Sequence, residues 1–449
     1  MTSSSALTQK IYLTDFESQF DEEPFTHDLS LGFGYANIRI GDRLGPDNQF
    51  EILRKLGWGM YATMWLVEDH QQGRFLALKI LTAYGTLLER GAVNEPGHPH
   101  TQELDIMQKV STPTSDPGAN NCMKLIDSFY ITRDTNDHLC LLTEVAGPNL
   151  EGVRAMVATD GAFPSKFVKL FVKQICLALN YPHTECRVVH TDIKPSNLLL
   201  AFDSSITEEL INILLEHRSV QTYPMRTVDG VKMEAFVSQP LPLPGFDDVD
   251  PVNWVIKVAD FGSAQFIDRR TTDRVQPVQL RAPEVVLGLD WNEKIDIWSL
   301  GCLTFELLTG KNLYEASPSS QWSSEENLLA AQLETHLLTR VPPHLHAQCK
   351  DVSLLLNQDG SLRNIPEDMM YPKTLADVLS VYKKAPINLD DPLSEQELAL
   401  SFIERCLALD ARERDTAAEL LQHPWLNQIS CRPLRSRLQL QGDNVVVSE

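Results

Sequence analysis

A single stretch of eight residues brings together the side chains that phosphoryl transfer requires. From His190 to Asn197 it reads His-Thr-Asp-Ile-Lys-Pro-Ser-Asn. Asp192 is of the type that accepts or orients the proton of an attacking hydroxyl, and Lys194 can neutralise charge on a phosphoryl group during its transfer. The amide oxygen of Asn197 is a suitable ligand for a magnesium ion. Taken alone, the same residues could form a polar turn between two strands, so the chemistry depends on what accompanies them.

A second group of residues could bind phosphates and metal. Asp260 opens an Asp-Phe-Gly sequence after a β-type run and is a second candidate magnesium ligand. Lys79 lies in the apolar segment 75–80. A solvated edge lysine is the usual explanation for such a residue, but its distance from a preceding glycine hairpin fits a lysine that binds the α- and β-phosphates of ATP. Its candidate acidic partner is Glu103, in a helix predicted over 101–110. The apolar residues predicted on one face of that helix are Leu104, Met107 and Val110.

The glycine hairpin before Lys79 could close over the phosphates. Glycine allows the backbone conformations and the close approach that such a lid needs, although Gly-x-Gly alone is equally typical of an ordinary hairpin. The candidate nucleotide-binding residues of the hairpin are Leu56, Gly57, Trp58, Gly59, Met60, Tyr61, Ala62, Thr63 and Met64. Glu144 and Ala146 are predicted to offer backbone groups to an adenine, with Thr143 behind the pocket and Ala77 in the Lys79 strand beside it.

The composition narrows the class of protein. The 449 residues carry a net charge of −22, which argues against non-specific binding to nucleic acid or anionic membranes and is compatible with basic protein partners. Solubility alone explains this acidity at least as well. Eight scattered cysteines form no CxxC pair and indicate reduced thiols. The sequence contains no secretory signal and no apolar run of membrane-spanning length, so we expect a soluble protein of the cytoplasm, the nucleus or both.

Changes in pattern divide the chain into segments. We predict an N-terminal arm over 1–39, either flexible or lying along the surface. A small lobe follows over 40–145, with a five-stranded antiparallel sheet and one helix. Residues 146–429 form a larger, mainly helical lobe, and 430–449 form a tail. Within the larger lobe, the polar segment 201–252 is predicted to be an insertion, partly disordered, with one amphipathic piece.

Residues outside these groups are predicted to support the site. Asp296, on a helix, should cap backbone amides of the 190–197 loop. Glu284 and Arg414 should form a buried ion pair, which is costly to break from one side. A helix over 165–181 should pack beneath the loop.

Together these residues resemble the eukaryotic protein kinases over about residues 40 to 426. The motifs that carry the resemblance are Gly57-x-Gly59, Lys79, Glu103, His190-x-Asp192-x-Lys194-x-x-Asn197, Asp260-Phe261-Gly262, Ala282-Pro283-Glu284 and Asp296-x-Trp298-x-x-Gly301. Within that superfamily the chain looks like the serine/arginine-rich protein kinases, especially the fungal members. The stretches that carry this likeness are 54–59, 77–80, 190–197 and the insertion before Asp260.

The resemblance implies the fold and the activity. It implies an α+β, two-lobed protein-kinase fold, with a small antiparallel β-sheet N-lobe containing one main helix and a larger helical C-lobe. It also implies ATP- and Mg²⁺-dependent phosphorylation of Ser (or Thr) in Arg/Ser-rich proteins. Departures from the family pattern are Ala62 at the third glycine position, Met64 in place of the usual valine, and Pro182 near the end of the 165–181 helix.

Thr191 is a further departure, because many kinases have an arginine here that pairs with an activation-loop phosphate. We therefore expect activity that does not depend on phosphorylation of Thr271 or Thr272. The alternative function is that of a catalytically weak pseudokinase, which would act as an ATP-binding or protein-binding scaffold. Pseudokinases commonly lose the lysine or one of the two aspartates, and Lys79, Asp192 and Asp260 are all present.

Overall fold

Six antiparallel strands form the sheet that carries the first half of the candidate site. The computed structural model describes residues 22–23, 33–93, 99–157, 161–228, 231–243, 254–350, 355–381 and 392–427. The strands of the sheet are β1 (Arg43–Leu44), β2 (Phe50–Gly59), β3 (Ala62–Asp69), β4 (Arg74–Leu81), β5 (Leu125–Arg133) and β6 (Asn136–Thr143). They lie in the order β1-β2-β3-β4-β6-β5. The predicted number of five strands is wrong, because β1 pairs with β2 through two residues only, too few for a hydrophobic pattern to reveal.

Two helices accompany this sheet, α1 (Ala83–Glu89) and α2 (Glu103–Val110). Helix α2 begins two residues later than predicted and buries positions 103, 106, 107 and 110, which is the i, i+3, i+4, i+7 spacing of one helix face. Ile106 is therefore a core residue, whereas Leu104 is only partly buried, so the predicted face was wrong by one position. Burial of Glu103 on the inner face directs its carboxylate towards the sheet.

The larger lobe is helical, as predicted. Its helices are α3 (Leu150–Val157), α4 (Ser165–Tyr181), α5 (Ser204–His217), α6 (Pro283–Val286), α7 (Lys294–Thr309), α8 (Ser324–Thr335), α9 (Pro343–His346), α10 (Leu375–Val381), α11 (Pro392–Cys406), α12 (Ala417–Leu420) and α13 (Pro424–Asn427). Helix α4 has the predicted bounds, and Pro182 directly after it opens a π-helical turn, Pro182–Cys186. Helix α7 is buried along almost its whole length and forms the centre of the lobe.

Short strand pairs frame the loops of the larger lobe. They are β7 (Val188–Val189) with β12 (Gln265–Phe266), β8 (Leu198–Ala201) with β11 (Val255–Val258), and β9 (Arg226–Val228) with β10 (Val231–Met233). The 190–197 loop connects β7 to β8, and Asp260 follows β11. Because β8 pairs with β11, Asp260 lies beside the 190–197 loop.

The insertion is packed against the sheet of the small lobe. The predicted amphipathic piece is helix α5, and the structure adds the β9–β10 hairpin, which the sequence did not indicate. Phe236 is buried in the cluster that contains Trp65, and Leu241 in the cluster that contains Ala77. The acidic run 247–250 and the tail 430–449 lie outside the described residues.

Residues Glu22 and Glu23 of the N-terminal arm contact Lys55 of β2. At this point the arm lies along the small lobe, one of the two alternatives left by the sequence. The segment boundaries at 40, 146 and 430 stay predictions. Among the described helices, none is both long and apolar enough to cross a bilayer.

Candidate active site

Lys79, Glu103 and Asp260 meet between the two lobes. Lys79 Nζ lies 2.6 Å from Glu103 Oε1 and 2.9 Å from Asp260 Oδ1. The predicted contact between Lys79 and Glu103 is therefore confirmed, and Asp260 joins it from 181 residues further along the chain. The three elements involved are β4, α2 and the segment after β11, so the ion pairs form only when the sheet, the helix and the larger lobe are assembled.

Charge and burial shift the pKa values of this cluster in opposite directions. The Lys79 ammonium holds the pKa of Asp260 at about 2, against the effect of burial. Burial raises the pKa of Glu103, although Lys79 opposes that rise. Burial disfavours the Lys79 charge, but the two carboxylates outweigh it and raise the pKa of Lys79. Lys79 is therefore a fixed cation and Asp260 a fixed anion near neutral pH.

The 190–197 loop brings its three polar side chains together. Lys194 Nζ lies 2.8 Å from Asp192 Oδ2, and Asn197 Nδ2 donates to the same oxygen over 2.9 Å. Because the amide nitrogen of Asn197 faces Asp192, its oxygen is the atom that a cation would use. A polar turn between two strands, the alternative that the sequence left open, would not require Lys194 and Asn197 to converge on Asp192.

Asp296 holds the start of the loop. From its position in the first turn of α7, its Oδ2 accepts the amide of His190 over 2.7 Å and its Oδ1 accepts that of Thr191 over 2.8 Å. His183 Nε2 lies 2.9 Å from the same carboxylate. Asp296 has no exposed surface. The predicted capping of loop amides by Asp296 is confirmed.

The loop is also joined to the residue before Asp260. The Ala259 amide donates to the Asn197 carbonyl over 2.9 Å, and His190 Nε2 lies 3.0 Å from the Ala259 carbonyl oxygen. The His190 ring packs 5.1 Å from the buried Phe261 ring. Thr191 and Asp260 both have positive φ values, 65° and 60°. Such backbone strain is found where the surrounding contacts determine the conformation.

The glycine hairpin leaves open space where a lid would need it. A Cβ atom added to Gly57 or Gly59 would meet no atom of the described chain within 4 Å. Ala62 pairs with Gly59 across the turn between β2 and β3. Internal packing therefore does not require glycine at these two positions, and the space beside them is open to a ligand. Asp260, Asn197 and this open lid fit Mg²⁺ bound to a nucleotide, since Mg²⁺ typically uses one or two protein ligands together with phosphate oxygens.

Comparison with known proteins agrees with this geometry. The family model described as "Protein kinase domain" matches residues 50–213 and 247–426. The chain belongs to the protein kinase family. Among its relatives, "Serine/threonine-protein kinase SRPK" of Physarum polycephalum is 29% identical over 91% of this chain and 92% of its own. "Protein kinase dsk1" of Schizosaccharomyces pombe is 26% identical over 88% and 84% of the two chains. "SRSF protein kinase 3" of Homo sapiens is 24% identical over 91% of each. The predicted two-lobed kinase fold and the predicted likeness to SR-protein kinases are confirmed.

The segment that follows β6 contains an ion pair that the sequence did not reveal. Thr143 ends β6, is buried and pairs with Ala77 of β4, which is also buried. The Glu144 side chain extends to Lys257 of β11, with 2.7 Å between the charged atoms. Lys257 was missed because a lysine in a short strand is usually a solvated residue.

The activation segment is held by Gln265, another residue that was not singled out. Gln265 Oε1 accepts the backbone amides of Thr271 over 2.6 Å and of Thr272 over 3.2 Å. Its Nε2 donates to the Thr272 carbonyl over 3.2 Å. Gln265 is only 2% exposed. An uncharged side chain thus orders the segment that carries the two threonines.

The predicted ion pair of Glu284 and Arg414 is confirmed as a buried, bidentate contact. Arg414 donates from its two terminal nitrogens to the two oxygens of Glu284 over 2.6 and 3.0 Å. The guanidinium also lies 5.1 Å from the centre of the Trp298 ring. This contact ties the end of the activation segment to the far part of the larger lobe.

Proposed function

We propose that this kinase transfers the γ-phosphate of ATP to Ser (or Thr) hydroxyls, and that basic Arg/Ser-rich proteins are its substrates. One observation carries the proposal. The Asp192–Lys194–Asn197 cluster and the Lys79–Glu103–Asp260 cluster are joined through Ala259, which bonds to the loop with both its amide and its carbonyl. A hydroxyl-orienting acid and a phosphate-binding cation therefore occupy one connected site.

The roles of the catalytic residues follow from their charges. Asp192 orients the attacking hydroxyl and accepts its proton, a contribution of about 10²–10⁴-fold in general base catalysis. Lys194, held against Asp192, offsets charge on the phosphoryl group. Asn197 and Asp260 would hold Mg²⁺, which supplies positive charge between the phosphates.

The remaining site residues would position the nucleotide. Lys79, fixed by Glu103, binds the α- and β-phosphates, and the lid of residues 56–64 covers them. The backbones of Glu144 and Ala146 bind the adenine edge, with Ala77 packed against the ring. The low pKa of Asp260 keeps this ligand charged at any physiological pH.

An active enzyme is favoured over a scaffold because the charged groups needed for transfer are paired in one arrangement. Lys79 would bind nucleotide in either case. Asp192 and Lys194 have no evident use in a scaffold, and their contact is maintained by Asn197. The relatives compared above bear the names of kinases.

The substrate class is proposed from charge. The net charge of −22 favours basic polypeptides over nucleic acid or anionic membranes. One relative is named an "SRSF protein kinase", which agrees with Arg/Ser-rich substrates. We place the protein in the cytoplasm, the nucleus or both, where the described cysteines would remain free thiols.

A peptide array with radiolabelled ATP tests both the activity and the substrate class. The purified chain should label Arg-Ser repeats more than unrelated Ser-containing sequences. Asp192→Asn should retain ATP binding and lose nearly all transfer, whereas Asp127→Asn, an exposed residue of β5, should behave as the parent protein. Equal labelling by the parent and Asp192→Asn would reject the enzyme, and equal labelling of all sequences would reject the substrate class.

A further inference from the structure

Helix α2 receives its N-terminal cap from another helix. The residue preceding α2, Gln102, makes no side-chain capping bond to it. Instead Glu89, the last residue of α1, accepts the backbone amides of Glu103 over 3.1 Å and of Leu104 over 2.8 Å. It also accepts the Thr101 hydroxyl over 2.5 Å. A carboxylate at this end of a helix satisfies unpaired amides and interacts favourably with the helix dipole.

The other end of α1 is attached to the glycine lid. The Thr82 amide donates to the Tyr61 carbonyl over 2.8 Å, and the Tyr61 and Tyr84 rings stack with centres 6.3 Å apart. Gly85 permits this approach, because a Cβ there would lie 3.1 Å from the Tyr61 carbonyl oxygen. Helix α1 thus spans the distance from the lid to α2.

Tyr35, a residue of the predicted N-terminal arm, contacts the tip of the lid. Its hydroxyl lies 2.9 Å from the carbonyl oxygens of both Gly59 and Met60, and the residue is 5% exposed. The neighbouring Gly34 carbonyl accepts the Ala83 amide at the start of α1 over 2.8 Å. The segment 33–35 therefore contacts both the lid and α1.

We propose that residues 33–35 and helix α1 form a brace that couples the phosphate lid to α2, with Tyr35 and Glu89 as positioning residues at its two ends. Tyr35 limits opening of the lid over the phosphates. Glu89 holds α2 where Glu103 reaches Lys79. The inference rests on the roles proposed above for the lid, Lys79 and Glu103, and it assigns the control of those roles to residues outside the site.

Tyr35→Phe tests the lid end, because it removes one hydroxyl and keeps the ring. We expect release of a fluorescent ADP analogue to become about 2- to 10-fold faster, the range for loss of one buried hydrogen bond. Tyr314→Phe is the matched control, since it removes a buried hydroxyl that contacts Thr335 in the larger lobe. Release rates that are unchanged in Tyr35→Phe, or changed equally in Tyr314→Phe, would overturn the role of Tyr35.

A double-mutant cycle tests the other end. Glu89→Ala should lower kcat/KM about 2- to 30-fold, the range that loss of one helix cap allows. If Glu89 acts through Glu103, the same substitution should cost less than about 2-fold in a Glu103→Gln background. Equal losses in both backgrounds would overturn the proposal, because a purely structural cap would act additively.

Two controls keep the test interpretable. Glu89→Gln retains one acceptor oxygen and should recover part of the loss, which keeps the test usable if Glu89→Ala folds poorly. Glu419→Gln weakens a comparable cap on α12, where Glu419 accepts the Thr416 amide over 2.7 Å, and should leave kcat/KM unchanged. An inactive parent protein, or full activity of Lys79→Met, would count against the proposed function itself, whereas an active parent with unaffected brace variants would count against the brace alone.

Discussion

The Thr191 hydroxyl donates a hydrogen bond to the Ser263 carbonyl over 2.8 Å. This contact fixes the 190–197 loop to the residue that follows Asp260-Phe-Gly, and it uses a neutral side chain that is only 1% exposed. A phosphate group on the activation segment would find no cation at position 191. The order of that segment depends instead on Gln265, whose amide bonds to the backbone of Thr271 and Thr272.

Removal of both activation-segment hydroxyls should therefore leave the kinase active. In the Thr271→Ala/Thr272→Ala variant, the backbone amides still reach Gln265. The variant loses only an exposed bond from the Arg274 amide to the Thr272 hydroxyl over 3.2 Å and a 3.5 Å contact from the Thr271 hydroxyl to Gln265. We therefore expect transfer to Arg-Ser peptides within about 2-fold of the parent, the lower end of the effect of one hydrogen bond. Phosphatase treatment of the parent should also have no effect. Gln265→Ala, which removes the shared acceptor, is the contrasting variant and should lower activity. Loss of activity after phosphatase treatment would contradict the expectation.

The Glu284–Arg414 pair should be far more costly to break from one side than to replace. Arg414→Ala leaves a buried carboxylate unpaired, and we expect it to lower the free energy of unfolding by about 3–5 kcal/mol. Arg414→Met combined with Glu284→Leu removes both charges. This double variant should recover most of that loss, because no buried charge is then left without a partner. Urea unfolding of Arg414→Met, Glu284→Leu and the double variant measures the coupling. Additive losses would show that the pair acts as two independent side chains.

The parts of the site that chemistry dictates were predictable from the sequence. Lys79, Glu103 and Asp260 belong to motifs in which residue type and local spacing are both restricted, so their convergence could be predicted without coordinates. Tyr35, Glu89, Lys257 and Gln265 were missed for one physical reason. Each is a common polar residue whose partner is set by tertiary packing, and nothing in its own neighbourhood in the sequence indicates that partner.

Local pattern was also a poor guide where elements are short. Strand β1 has two residues, and the β9–β10 hairpin has three in each strand. Neither is long enough to show an alternation of apolar and polar residues. The buried face of α2 was predicted wrongly because two apolar residues, Leu104 and Ile106, lie close together in the sequence. Leu104 was assigned to the core, but Ile106 is the one that is buried there. Longer elements such as α4 were predicted with the correct bounds.

The Asp410–Arg412 pair predicts a specific loss of stability in acid. Asp410 accepts the Arg412 side chain over 2.6–3.1 Å and its backbone amide over 2.9 Å, and these bonds hold the pKa of Asp410 at about 2. Because the pKa is lower in the folded protein than the ordinary value of 3.8, the stabilisation is present above about pH 4 and is lost as the pH falls through 2. The exposed Arg412 limits its size to about 1 kcal/mol.

Asp410→Asn should therefore unfold more easily than the parent at pH 5, by about 1 kcal/mol, and equally easily near pH 2. Denaturant unfolding at a series of pH values between 5 and 2 measures the convergence. Glu397→Gln, an exposed carboxylate on α11, serves as the control and should give parallel curves. A difference between Asp410→Asn and the parent that stays constant with pH would mean that the ion pair is not the cause.

Lys55 should make the stability of the small lobe depend on the N-terminal arm. Its side chain is fully buried, and its Nζ contacts Glu22 over 2.7 Å, Glu23, and the Phe236 carbonyl over 3.2 Å. Glu22 also accepts the Ser238 amide over 2.6 Å, so the arm and the insertion meet at this lysine. Glu22→Ala/Glu23→Ala leaves the ammonium buried without a carboxylate, which we expect to cost about 3–5 kcal/mol.

Adding Lys55→Met to that double variant should restore much of the lost stability, because methionine fills a similar volume without a charge. Thermal and urea unfolding of the three chains measure the recovery. Asp359→Ala, which breaks the exposed pair with Arg340 and the Asp359 bonds to Ser361, should cost far less than the double variant and sets the scale for surface contacts. If the triple variant is no more stable than the double variant, the contribution of the arm lies in contacts other than the charge of Lys55.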